Sequence, residues 1–340
     1  MQPFLETSQL RWLTQWLSTQ RLSTEFKIHP LAGDGSPRPF YRIEIPNRTF
    51  VLLIEPAWTL SKDYPVHQAY LEREGVPVPQ FLAVDEKLGL LLMEDLGDVL
   101  LQARLLETPE EKRGWLEEAT RLLARLHGST FPVPTELPVS TRRFDAEKYG
   151  QELAFTIEHL HVGLLKLSPL DKKAKKEIEL FCHLIAAFGP DVFCHRDYHT
   201  RNLLVHEERL RLIDFQDARL GPIEYDLASL FFDAYVPIAP GDRTHLLGLY
   251  RQVLKAFALD KAIEWGGFEK RLDLVAFQRV VKAAGSFASF YTRYGKQTHL
   301  PYLVPALEMA RTLYAEHSAS LPQLPLDEWI SKARALKVAK

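Results

Sequence analysis

Asp197 stands in the run Cys194-His195-Arg196-Asp197-Tyr198-His199-Thr200-Arg201-Asn202-Leu203, and Asp214 closes the apolar stretch Leu210-Arg211-Leu212-Ile213 ahead of Phe215-Gln216-Asp217. Two carboxylates and an amide at this spacing suit phosphoryl transfer. That reaction needs a carboxylate beside the acceptor hydroxyl and hard oxygen ligands for a Mg²⁺ that bridges nucleotide phosphates, because charge builds on the transferred group. Asp197 supplies the first. Asn202 and Asp214 supply the second, since magnesium takes one or two protein carboxylates and fills its shell with phosphate and water. Arg201 keeps its charge in any surroundings and can face either a phosphate or the Asp197 carboxylate. Each of these residues alone is as ordinary in a turn as in a site; their joint spacing singles them out.

The elements around them must bring the three oxygens together. Residues 202–205 and 210–213 read as two short strands flanking His206-Glu207-Glu208-Arg209, a hairpin that would return Asp214 beside Asp197 and Asn202. Upstream, Leu10, Leu13, Trp16 and Leu17 recur at helical spacing. Residues 41–45 and 49–54 form two β-like runs around Pro46-Asn47-Arg48, and 64–74 form a helix ended by Gly75 and the Pro77/Pro79 pair. Two more strands, 80–84 and 88–93, follow. This order predicts a small antiparallel sheet with one packed helix, closed by the connection Glu94-Asp95-Leu96-Gly97. Beyond residue 100 the apolar spacing turns helical, as at Leu116, Ala119, Leu123 and Leu126. The expectation is an α+β, two-lobed protein: residues 1–98 as a nucleotide-binding lobe, and 99–340 as an α-rich lobe carrying the catalytic loop, metal site and acceptor pocket.

With 340 residues, the chain has room for about two cores. A formal charge of -2 leaves no global basic field, so nucleic acid is not an expected partner. The basic cluster Lys332, Arg334, Lys337 and Lys340 reads as a solvated end. Cys182 and Cys194 are too few for a disulfide framework and lack zinc-ligand spacing. Neither a secretory leader nor a membrane span is legible, which predicts a cytoplasmic protein; a monomer is favoured, and the sequence leaves the oligomeric state open.

The His-Arg-Asp triplet, the Asn five residues after its Asp, and the later apolar-Asp-Phe element match the catalytic and metal loops of kinases. The chain resembles the aminoglycoside phosphotransferase and choline kinase family, small-molecule relatives of the protein kinases, over most of its length. Leu122-Leu123-Ala124-Arg125-Leu126-His127-Gly128 is similar to the helix before that family's catalytic region. Gly221-Pro222-Ile223-Glu224-Tyr225-Asp226-Leu227-Ala228 is similar to the segment whose Asp braces the catalytic loop, which gives Asp226 a supporting role. A narrower resemblance is to bacterial anomeric kinases that phosphorylate N-acetylmuramic acid and N-acetylglucosamine at the anomeric carbon in cell-wall recycling. It is carried by Leu31-Ala32-Gly33-Asp34-Gly35-Ser36 with Tyr41-Arg42, by Gly75-Val76-Pro77-Val78-Pro79, by Asp214-Phe215-Gln216-Asp217-Ala218 with Tyr225-Asp226, and by Gln278-Arg279-Val280-Val281-Lys282 with Tyr294-Gly295-Lys296. The resemblance implies a protein-kinase-like fold, ATP and Mg²⁺ as cofactors, and a small sugar as acceptor. Aminoglycosides, choline and homoserine are the rival acceptors, with Glu224, Asp226 and Asp233 as the carboxylates that a cationic one would need. A nucleotide-binding pseudokinase is the non-catalytic rival.

The nucleotide has two predicted cradles. Gly33, Asp34, Gly35 and Ser36 precede the first hairpin, where glycine lets backbone N–H groups approach phosphate. Glu94 and Leu96 lie in the interlobe connection, where backbone groups can meet an adenine edge. One departure stands out: the third-strand lysine that contacts phosphates in protein kinases is missing from Phe50-Val51-Leu52-Leu53-Ile54-Glu55. Another cation must meet the phosphate charge, and Arg42 and Lys62 are the candidates.

Overall fold

Leu13 and Leu17 lie on one face of an amphipathic helix, α1 (Thr7–Thr19), whose start is closed by a reciprocal pair of bonds between Glu6 and Gln9. This face covers Ile43, Phe50, Leu52, Leu90 and Leu92 on a sheet, with Trp16 edge-on to Phe50 at 5.4 Å. The sheet contains β1 (Lys27–Leu31), β2 (Phe40–Ile45), β3 (Arg48–Ile54), β4 (Phe81–Asp85) and β5 (Leu90–Glu94), with α2 (Tyr64–Arg73) between β3 and β4. These come from a computed structural model, which describes residues 5–31, 38–59 and 62–336. The remaining elements in chain order are α3 (Leu101–Glu107), α4 (Lys112–Ser129), α5 (Ala146–Thr156), α6 (Lys172–Ala186), β6 (Asp191–Cys194), β7 (Leu203–His206), β8 (Arg209–Leu212), β9 (Arg219–Pro222), α7 (Ile223–Phe231), α8 (Pro240–Leu254), α9 (Phe268–Tyr294), α10 (Leu303–His317) and α11 (Leu326–Arg334). They divide into two compact units, Met1–Val99 with Leu204–Gln216, and Leu100–Leu203 with Asp217–Lys340.

In the first unit the strand order is β1-β2-β3-β5-β4, antiparallel at every pairing. Sequence spacing finds β2 to β5 and the helix between them but misses β1. Its residues, Lys27-Ile28-His29-Pro30-Leu31, carry a proline and no apolar alternation, which an edge strand tolerates and a pattern reader does not see. The β7–β8 hairpin belongs to this unit as well. Residues 204–216 pack with the first unit rather than with the rest of 99–340. Main-chain bonds explain this: Val205 N–H donates to the Val99 carbonyl and Leu212 N–H to that of Pro77, both at 2.8 Å. Arg211 adds a 2.6 Å bond to Glu94.

In the second unit β6 pairs antiparallel with β9, Cys194 opposite Arg219, and β9 runs straight into α7. The two strands are too short for sequence patterning to register. The long helix α9 packs against α5, α7 and α10. Its approach to α5 depends on Gly285, because a Cβ there would lie 2.3 Å from Thr156 Oγ1 and 2.6 Å from Thr156 Cα. Thr156 Oγ1 instead donates to the Val281 carbonyl at 3.2 Å, which fixes the height of α9 against α5. At the C-terminal end, Arg334 is paired with Glu308. No helix among the described residues is long and apolar enough to cross a membrane.

Candidate active site

The loop after β6 is held from below by one buried carboxylate. Asp226, in the first turn of α7, accepts the main-chain N–H of His195 at 2.6 Å and of Arg196 at 2.9 Å. His127, from α4, sits 3.2 Å from the same carboxylate through Nε2 and 2.7 Å from the Tyr250 hydroxyl through Nδ1. Burial alone would raise the Asp226 carboxyl, but the bonds from His127 and His195 hold it below its ordinary value. The bracing role expected of Asp226 is therefore present as geometry. A second carboxylate, Asp233, accepts the N–H and hydroxyl of Thr200 at 3.0 and 2.6 Å, and the N–H of Tyr235 at 2.8 Å. Between these anchors Arg196 takes φ 83°, a left-handed conformation costing about 1–3 kcal/mol that the surrounding bonds must impose.

Asn202 closes the loop. Its amide nitrogen donates to the Asp197 carbonyl at 2.9 Å, a bond that does not use the amide oxygen. The Asp197 carboxylate has company that no sequence spacing predicts. Lys282 Nζ lies 2.6 Å and Arg279 Nη2 2.9 Å from its Oδ1, while Arg196 Nε is 3.9 Å from Oδ2. Burial would raise this carboxyl too, but Lys282, then Arg279 and Arg196, hold it well below the carboxylate range. In turn, burial and the neighbouring Arg279 bring Lys282 down to about 8. Beneath them Glu152 is buried, taking the Tyr225 hydroxyl at 3.0 Å and the Gln278 amide at 3.1 Å, with Lys148 and Arg196 close by.

Asp197 lines an open recess in the same unit. Phe232, Tyr235 and Phe287 give it an aromatic wall, and His199, Ser229 and Ser286 add polar edges. Burial lowers His199 to about 4, so the ring is neutral at working pH. Arg201 lies with its guanidinium 4.7 Å from the Tyr235 ring centre. The carboxylates considered for a cationic acceptor are already engaged: Glu224 by Arg271 at 3.0 Å, and Asp226 and Asp233 by the loop bonds above.

The remaining predicted residues belong to the first unit. Asp214 has φ 66° and a side chain 46% exposed, with Gln216 Nε2 donating to its Oδ1 at 2.8 Å and Arg38 3.7 Å away. Glu94 ends β5, where its N–H already donates to the Gln80 carbonyl at 2.9 Å. That N–H is not available to an adenine. Leu96 accepts from His206 through its carbonyl, and its N–H makes no bond among the described residues. Arg42 is corrected as a phosphate cation, because its guanidinium is engaged by both Asp95, from 2.6 Å, and Asp98, from 2.7 Å. Gly33, Asp34, Gly35 and Ser36 lie outside the described residues.

A braced loop that carries a buried, cation-paired carboxylate at the edge of an open recess suits phosphoryl transfer. The phosphotransferase enzyme family, APH, matches this sequence over residues 27–264. The chain belongs to that family.

Relatives of this phosphotransferase include the N-acetylmuramate/N-acetylglucosamine kinase of Neisseria meningitidis serogroup B, 26% identical over 91% of this chain and 92% of that one. The protein of the same name from Pseudomonas aeruginosa is 30% identical over 88% of this chain and 89% of its own. Among solved structures, choline kinase from Cryptosporidium parvum Iowa II superposes with a TM-score of 0.62 at 15% identity, covering 94% of this chain and 99% of that one. The phosphotransferase thus has the protein-kinase-like fold expected of it. Sequence reasoning did not place Arg38 beside Asp214, or Arg279 and Lys282 on Asp197. A signal for the last two was present: two cations one helical turn apart in the apolar stretch Val275–Ala288 are expensive to bury unless they meet a carboxylate.

Proposed function

We propose that this phosphotransferase moves the γ-phosphoryl group of ATP onto the anomeric hydroxyl of N-acetylmuramic acid or N-acetylglucosamine. The observation that carries the reading is Asp197 at the edge of a recess walled by Phe232, Tyr235 and Phe287. Aromatic faces suit the apolar side of a sugar ring, while serine hydroxyls and a neutral histidine suit its rim. The names of the relatives supply the amino sugar. Buried Arg279 and Lys282 beside the recess repel a cationic acceptor, which disfavours aminoglycosides most and choline less. Cytoplasmic location, where ATP is made available, belongs to the same reading.

In this mechanism Asp197 orients the acceptor hydroxyl and receives its proton. The acceptor oxygen bonds to phosphorus as the bond from phosphorus to the ADP oxygen breaks. Asn202 and Asp214 are the residues to hold Mg²⁺, and they suit it: one offers an amide oxygen with its nitrogen already committed, the other a half-exposed carboxylate. Bound magnesium would neutralise phosphate charge. The Glu94 carbonyl, the Leu96 N–H and the 33–36 loop are assigned to the nucleotide.

The test is an acceptor panel with radiolabelled ATP. The expected product is a sugar 1-phosphate, absent when the anomeric position is blocked as a methyl glycoside. Asp197→Ala should lower kcat by about 10²–10⁴ while MgATP still binds. Phosphorylation of an aminoglycoside or choline with no amino-sugar product would overturn the acceptor assignment, and binding of MgATP without any turnover would make the protein a pseudokinase.

A further inference from the structure

The first unit carries no lysine on β3, where Phe50, Val51, Leu52, Leu53 and Ile54 occupy the strand, and its Arg42 is held by Asp95 and Asp98. In the second unit two cations meet the Asp197 carboxylate. We propose that Lys282, assisted by Arg279, is a catalytic residue that meets the transferred phosphoryl group at Asp197. The proposal rests on Asp197 as the acceptor-orienting carboxylate, whatever the acceptor proves to be.

Both cations are attached to one oxygen of Asp197. Oδ1 takes Lys282 at 2.6 Å and Arg279 at 2.9 Å, whereas the nearest cation to Oδ2, Arg196, stands at 3.9 Å, beyond hydrogen-bonding range. Oδ2 is therefore the oxygen that receives the acceptor hydroxyl. Reacting atoms must approach to roughly 3–3.5 Å before transfer, so the phosphoryl group arrives within a side-chain shift of Lys282 Nζ.

Charge then moves in a closed exchange. The acceptor proton passes to Asp197, whose carboxylate becomes neutral and loses its hold on the two cations. In the same step the acceptor oxygen gains the phosphoryl group and its negative oxygens, and ADP leaves with the electron pair of the broken P–O bond. Lys282 stays protonated throughout and passes from Asp197 Oδ1 to a phosphoryl oxygen. Its long stem allows this movement. Arg279 is the more fixed member, tied to Ser229 Oγ at 2.6 Å and lying 5.8 Å from the Tyr225 ring centre. The arrangement also gives a reason for two cations buried on one carboxylate oxygen: Glu152 balances them further, and it is shared with Lys148 and Arg196.

The test compares binding of the acceptor with binding of its phosphate ester, by calorimetry, in wild type, Lys282→Met, Lys282→Arg and Arg279→Gln, each checked for an unchanged melting temperature. Lys282→Met should weaken the ester by about 10- to 100-fold, the range of one hydrogen bond between charged groups, and leave the free acceptor within about threefold. Its kcat should fall by a similar factor at unchanged KM for ATP, and Lys282→Arg should recover most of both. Equal weakening of acceptor and ester, or no change in either, would overturn the proposal and leave Lys282 as a structural partner of Asp197. If wild type turns over some other alcohol, the comparison is made with that alcohol and its phosphate, so a wrong acceptor and a wrong role for Lys282 give different results.

Discussion

Asn202 Nδ2 donates to the main-chain carbonyl of Asp197 at 2.9 Å, so the residue assigned to the metal latches the residue assigned to the acceptor. Replacing it should injure both functions. Asn202→Ala is expected to lower kcat by at least about 100-fold and to raise the Mg²⁺ concentration needed for half-maximal rate. A magnesium titration of the initial rate checks this; an unchanged half-saturation point would remove Asn202 from the metal.

Activity should decline as pH rises through about 8, because Lys282 loses its proton there. The sign follows from its surroundings. Burial, Arg279 and Arg196 favour the neutral amine, while Asp197 and Glu152 favour the ammonium, and the former prevail. The protonated form is the working one, so the loss lies on the alkaline side. A kcat profile from pH 6 to 10 should show this limb, and Lys282→Arg should push it upward beyond the measured range. A flat profile across that window in wild type would count against a working ammonium.

Asp226→Ala should destabilise the protein by about 3–5 kcal/mol, the cost of removing one partner from a buried charged network. The substitution leaves the N–H groups of His195 and Arg196 without their acceptor and His127 without its carboxylate. Guanidinium unfolding followed by tryptophan fluorescence measures the change. A loss under about 1 kcal/mol would mean that the loop is held by other contacts.

Tyr235→Ala should raise the acceptor KM about tenfold and leave the KM for ATP unchanged, since the ring lines the recess and supports Arg201. Tyr235→Phe should behave like wild type. Equal effects of the two substitutions would shift the role from the ring to its hydroxyl.

The site is legible in the sequence to the extent that it is local. Asp197 and Asn202 lie five positions apart, and the loop bond between them needs only the turn in which they stand. The resemblance of 221–228 to the family's bracing segment finds Asp226, and the structure supplies the atoms it holds. Helices and strands with a clear apolar period, such as α1, α2 and β2 to β5, were equally readable. The edge strand β1 and the four-residue strands β6 and β9 were not, because their stability comes from the partner strand and not from their own pattern.

Arg279 and Lys282 lie 82 and 85 positions from the carboxylate they meet. Nothing in the intervening spacing encodes that meeting. It depends on how deep α9 seats against α5, which the missing side chain of Gly285 and the bond from Thr156 to Val281 decide. The amino-acid order determined the reacting groups and the short turns that carry them, since those are set by neighbours along the chain. Only the packed helices decided which charges surround Asp197, because two cations can be buried there only where the fold has already placed a carboxylate to receive them.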